Sequence, residues 1–252
     1  FSQAKYVPAG QTLLLGGQKN VHHPRSLSTS AQPLPRKICP VSNAICRKFC
    51  NFAERIFKHT SNNGTLHTRQ AMIIEEILKF NREFVEKKRY EKFLTSKYPD
   101  KKLAILSCMD TRLTELLPAA LGLRNGDAKL IKNAGGLVIS PFDSAMRSLL
   151  VAIYELGVQE IMVIEHSNCG ACHMNGAQMK QLMVERGIRQ DVIDTIGLCG
   201  IDLDHWLEGF HDTEDSVRNT VNTIRHHPLV PHDVNLHGYI IDSQTGELTE
   251  VK

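Results

Sequence analysis

The chain predicts an α/β fold: a central, mostly parallel β-sheet of about four parallel strands plus a short edge strand, flanked by helices and led by an N-terminal helical arm. Three observations predict it. Short apolar runs recur at residues 103–107, 128–132, 160–165 and 236–242, too brief for helices. Segments with apolar side chains at helical spacing separate the first three runs. A turn signal at Gln244-Thr245-Gly246 ends the fourth run and sends the chain back into a short edge segment.

In chain order, Ile73, Ile77, Phe80 and Phe84 mark a helical stripe over 72–85. Residues 103–107 form the first strand, 113–121 a short helix and 128–132 the second strand. Residues 141–156 form a helix with Phe142, Met146, Leu149, Leu150 and Ile153 on its apolar side, and 160–165 form the third strand. Such a β-α-β-α-β succession closes through right-handed crossovers into a parallel sheet, whose ligands gather at strand carboxyl ends. Residues 174–186 and 216–226 read as further helices. After a fourth strand at 236–242, Gln244-Thr245-Gly246 turns the chain into a short last strand at 248–251.

With 252 residues, 42% of them hydrophobic, the chain can bury one substantial core. No apolar run approaches the ~20 residues of a membrane span, so no membrane association is expected and the predicted compartment is the cytoplasm. The net charge of +3 hides an asymmetry. Residues 1–71 carry ten Lys and Arg against one acid, Glu54, whereas 72–252 carry 20 bases and 26 acids. A basic arm can bind nucleic acid, but this one lacks periodicity and reads as a solvated tail with no nucleic-acid partner. It resembles an organelle transit segment, which makes an organelle the alternative location, or it is upstream sequence without function. The second reading is preferred: residues 1–71 are a mostly unfolded leader, with a short helix conceivable over 46–59, and 72–252 are the working domain. Seven cysteines and no apolar signal segment argue against a disulfide-stapled secreted protein and favour metal-binding thiolates.

Two clusters close predicted strands. Cys108 lies in Ser107-Cys108-Met109-Asp110-Thr111-Arg112, and His166 and Cys169 lie in Glu165-His166-Ser167-Asn168-Cys169-Gly170. Two thiolates and one neutral imidazole suit Zn2+ over magnesium or calcium, one ion per chain, and three protein ligands leave the fourth tetrahedral position to water. Zinc lowers the pKa of such a water from ~15.7 toward ~7, less so with thiolate ligands than with three imidazoles. A helper is then useful. Asp110 can accept a hydrogen bond from the zinc-bound hydroxide, and Arg112 can hold Asp110 in a bidentate pair that keeps the carboxylate off the metal. Breaking the pair would let Asp110 become the fourth ligand, so the two act as a latch.

These residues resemble the β-class carbonic anhydrases. The likeness lies in Cys108-Met109-Asp110-Thr111-Arg112 and His166-Ser167-Asn168-Cys169-Gly170, with Lys132-Asn133-Ala134-Gly135-Gly136 between them and Trp206 to Phe210 and His237-Gly238 later; it covers roughly residues 72–252. The resemblance implies that Cys108, His166 and Cys169 ligate zinc and that Asp110 and Arg112 form the catalytic dyad. It further implies reversible hydration of CO2 to bicarbonate and a proton, and a homodimer or larger homo-oligomer in which the N-terminal helix wraps a neighbouring subunit. Many relatives have Asp in place of Asn168 and Arg in place of Lys132.

Other readings share the segment. A COS or CS2 hydrolase on the same scaffold, or a non-catalytic zinc or redox-sensing module, would use the same ligands. Cys169-Gly170-Ala171-Cys172-His173 matches a c-type haem attachment pattern and contains a Cys-x-x-Cys pair. Haem attachment implies export, for which no signal is present; a Cys169–Cys172 disulfide would eject the metal. His173 could relay protons, whereas His226 and His227 sit at a predicted helix end and need no catalytic role.

Overall fold

The computed structural model describes residues 67–252. The short helix conceivable over 46–59 and most of the leader lie outside them.

Helix α1 runs His67–Glu86 and is followed by a single 3-10 turn, Glu91–Phe93. Then come β1 (Leu103–Cys108), α2 (Leu113–Ala120), β2 (Ala128–Asn133), α3 (Ser144–Leu156) and β3 (Glu160–His166). The chain continues through α4 (Gly176–Glu185), α5 (Gln190–Leu198), α6 (Leu203–Trp206), α7 (Thr213–Arg225), β4 (Asn235–Ile241) and β5 (Leu248–Val251). The five strands form one sheet in the order β2-β1-β3-β4-β5, with only β5 antiparallel. This is the sheet that the alternating pattern predicted.

Boundaries shifted where capping decided them. The helix predicted from residue 141 begins at Ser144, because Asp143 is extended and its carboxylate accepts the amide of Met146. Asp212 caps α7 in the same way, so that helix starts at Thr213, three residues ahead of the predicted Ser216. Helix α1 already runs through residues 67–71, ahead of the predicted stripe that opens at Met72. Helices α5 and α6 were not anticipated. Strands β1 and β3 each run one residue past the predicted ends, so Cys108 and His166 are themselves the last strand residues.

Side chains alternate across the sheet. Ala104, Leu106, Ile161 and Val163 face Met146, Leu149 and Ile153 of α3 and Val217, Val221 and Ile224 of α7. Ile105, Ile164 and Ile241 face the other way, onto Leu113 and Leu117 of α2, and the same cluster contains Cys108 and Cys169. Each fully buried Leu or Ile contributes about 1.5–3 kcal/mol, so two strand ends next to the candidate site are held by a packed core. By contrast, Met72, Ile73, Ile77 and Phe80 of α1 are more than half exposed. Among the described residues no helix is long and apolar enough to cross a membrane.

Candidate metal centre

Strands β1 and β3 are neighbours in register, with Ser107 opposite Ile164, so Cys108 and His166 emerge side by side at the carboxyl edge. Beyond His166 the chain turns through Asn168, whose φ of 54° is left-handed, and delivers Cys169 back to the same point. Asparagine tolerates that conformation better than most residues.

A second turn presses in from β2. Asn133 Oδ1 accepts the amides of Gly136 and Leu137, and its Nδ2 donates to the Leu137 carbonyl. This brings Gly136, at φ 79°, so close that a Cβ there would lie 2.7 Å from Cys108 N and 2.8 Å from Ser107 C. Gly136→Ala must therefore move the backbone that carries Cys108. We expect it to lower the unfolding free energy by roughly 2–4 kcal/mol in urea denaturation, combining αL strain with the displaced backbone.

Cys108, His166 and Cys169 are all buried, and their ligand atoms lie within 4.8 Å of one another. The two sulfurs are 3.8 Å apart. Two ligands each ~2.3 Å from a zinc ion at a tetrahedral angle are separated by about 3.8 Å, so the spacing fits the ion. The imidazole also fits. Its Nδ1 lies 2.9 Å from the Ser167 carbonyl, which only accepts, so Nδ1 carries the proton and Nε2 presents a lone pair. That Nε2 is buried without a hydrogen-bond partner, a cost that a metal would remove.

Charge is tuned by the surroundings. Burial pushes both thiols up, but at Cys108 the neighbouring His166 imidazole and the backbone around Asp110 and Gly135 outweigh it and draw the pKa down to about 7. At Cys169 burial, reinforced by Cys108, pushes it up to about 11. A metal takes both sulfurs as thiolates, so a dication bound there would release the protons that they still hold. On the opposite face of β3, Glu165 is buried against Ser216, whose hydroxyl donates to Oε1 at 2.8 Å; burial pushes this acid up to about 8.

Asp110 and Arg112 stand beside the cluster as a pair. Arg112 Nε donates to Asp110 Oδ1 at 3.0 Å and Nη2 to Oδ2 at 2.8 Å, while the Arg112 amide adds a bond to Oδ1 at 2.9 Å. These hydrogen bonds hold the Asp110 carboxyl well below the usual carboxylate range. Its Oδ2 is 3.8 Å from His166 Nε2, which places the carboxylate within one ligand spacing of the imidazole.

The sequence reading missed the bonds that support this pair and the loop that carries it. Arg112 Nη2 also donates to the Asn168 carbonyl at 2.9 Å, Nη1 donates to Ser243 Oγ at 3.2 Å, and Lys132 Nζ donates to the carbonyls of Cys108 and Leu113 at 3.3 Å. Lys132 and Asn168 were noticed only as departures from the family pattern. Ser243 carried no signal, being 131 residues from Arg112. Of the other residues singled out, His173 is exposed with its ring 5.9 Å from that of His211, and Cys172 is a half-buried free thiol turned to the His211 carbonyl at 3.6 Å. His226 and His227 bond to backbone carbonyls of Asn222 and Pro141.

Comparison with known proteins agrees with this geometry. The family model described as carbonic anhydrase matches residues 103–248. YtiB of Bacillus subtilis, whose carbonic anhydrase name is itself provisional, is 52% identical over 176 residues, spanning 70% of this chain and 94% of its own. A carbon disulfide hydrolase of Acidithiobacillus thiooxidans is 30% identical over 161 residues, spanning 59% of this chain and 76% of its own. The crystal structure of β-carbonic anhydrase isoform I from Trichomonas vaginalis superposes with a TM-score of 0.65 at 35% identity, covering 71% of this chain and 96% of that one. The chain belongs to the β-class carbonic anhydrase family.

Proposed function

We propose that the protein catalyses the reversible hydration of CO2 to bicarbonate and a proton, with one zinc held by Cys108, His166 and Cys169. The observation that carries the reading is the meeting of three buried soft donors, one of them an orphaned imidazole nitrogen, with a carboxylate already immobilised by an arginine. Zinc bound there supplies a Lewis acid that makes a water molecule acidic near neutral pH. The remaining work falls to the chain. Asp110, kept ionised by Arg112, is an acceptor at neutral pH, and Oδ2 is the oxygen facing His166. It holds the proton of the attacking oxygen and so turns a lone pair toward the carbon of the substrate. Arg112 fixes that carboxylate and stops it from turning to the ligand cluster.

The catalytic domain on this reading is 72–252, and the working unit is a homo-oligomer of at least two copies. Support for the latter lies in α1, whose Met72, Ile73, Ile77 and Phe80 have more than half of their surface in solvent. CS2 or COS hydrolysis is a second reading, the first of them favoured by the relative named a carbon disulfide hydrolase, because the same acidified water attacks any small linear electrophile.

Stopped-flow CO2 hydration combined with metal analysis tests the proposal. The expected result is one zinc per chain and turnover between about pH 7 and 9. Sulfide release from CS2 without CO2 turnover would select the hydrolase, and one zinc with neither reaction would leave a non-catalytic zinc module.

A further inference from the structure

Arg112 is an unusual anchor for a buried site, because its own side chain is 43% exposed. A long, half-solvated side chain keeps its rotamer only if several bonds oppose its conformational freedom. Two of those bonds lead away from Asp110: one to the Asn168 carbonyl and one to Ser243 Oγ. Ser243 is a firm partner. It is 5% exposed and follows β4, and its amide donates to Ser167 Oγ at 3.1 Å, with the two hydroxyls 3.4 Å apart. Ser167 lies between His166 and Asn168. Ser243 therefore joins the loop that carries Arg112 to the loop that carries His166 and Cys169.

We infer that Ser243 is a positioning residue that holds Arg112 in its pair with Asp110 and thereby keeps the Asp110 carboxylate off the metal. The argument is geometric. Asp110 Oδ2 is already 3.8 Å from His166 Nε2, so a small rotation after loss of the pair suffices to bring it among the ligands. Asn168 offers only a carbonyl to Nη2, the nitrogen that also serves Asp110, whereas Ser243 alone takes Nη1 among the described residues. Removing the hydroxyl frees that end of the guanidinium. A hydrogen bond to a charged group biases such an equilibrium by roughly tenfold or more.

The inference rests on the proposed reading that Cys108, His166 and Cys169 hold the zinc, and the experiment separates the two. Zinc-loaded wild type, Ser243→Ala and Ser243→Thr are compared by metal content, melting temperature, kcat/KM and crystal structure. Expected are equal zinc in all three, a drop in kcat/KM on the order of tenfold in Ser243→Ala, near wild-type turnover in Ser243→Thr, and an Asp110 detached from Arg112 in the alanine variant alone. An intact Asp110–Arg112 pair in zinc-loaded Ser243→Ala overturns the inference, whatever the rates. Wild type that binds no zinc, or binds it and turns over no CO2, counts against the proposed function instead, while the pair seen in the crystal structures still decides the role of Ser243.

Discussion

Cys108→Ser is expected to abolish stoichiometric zinc binding and, with it, all measurable CO2 hydration. A serine hydroxyl is far too weak an acid to supply an anionic ligand, so two of three donors remain, and the nearest carboxylate, Asp110, is held in its pair by Arg112. Stability should fall as well. A metal held at a thousandfold above its Kd stabilises the native state by about 4 kcal/mol, which for a domain of this size corresponds to roughly 10 °C in melting temperature. Dialysis followed by elemental analysis and a thermal melt measures both effects. Cys172→Ser is the control: its thiol faces the His211 carbonyl rather than Cys108, and it should keep its zinc. Stoichiometric zinc in Cys108→Ser, or its loss in Cys172→Ser, would reassign the ligands.

That control matters because the Cys-x-x-Cys segment offers two thiols, of which the sequence reading took only Cys169 as a ligand. Cys108 and His166 were legible because each closes an apolar run, and a parallel sheet puts run ends at one edge. Which cysteine of the Cys-x-x-Cys pair returns to that edge depends on the turn at Asn168, with φ 54°, and no periodicity encodes a single left-handed residue. In the folded chain it is Cys169 whose sulfur lies 3.8 Å from that of Cys108.

The helices divide in the same way. Helix α7 announced itself through a wide buried face of Ser216, Val217, Thr220, Val221 and Ile224, whereas α5 buries only Ile193 and so carried almost no stripe to read. Helix α6, at four residues, is too short to show a period, although its cap, Asp202, accepts two amides. Ser243 and Lys132 lay beyond reach for another reason. Their work is done by long-range hydrogen bonds, which neither the isolated Ser243 nor Lys132, noticed only as a departure within a motif, announces in the chain.

Arg112→Ala separates metal binding from catalysis. The three proposed ligands do not depend on the guanidinium, so one zinc per chain should remain. Activity should nevertheless fall by roughly 10²- to 10³-fold, the usual consequence of losing a preorganised partner of the reacting group. Two effects act together. Without its bidentate partner the Asp110 carboxyl returns toward the usual carboxylate range, yet stays ionised at neutral pH, since the arginine was what depressed it. An ionised, unrestrained carboxylate one ligand spacing from His166 Nε2 then turns to the dication, because the partly exposed pair no longer competes for it. Arg112→Lys keeps the charge but forfeits the fork geometry, so it should retain more activity than alanine and less than wild type. A zinc-loaded crystal structure of Arg112→Ala should place Asp110 at the metal. Wild-type turnover in that variant, or an Asp110 left where it stands now, would mean that the arginine neither orients nor restrains the carboxylate, and that the pair is only a surface salt bridge.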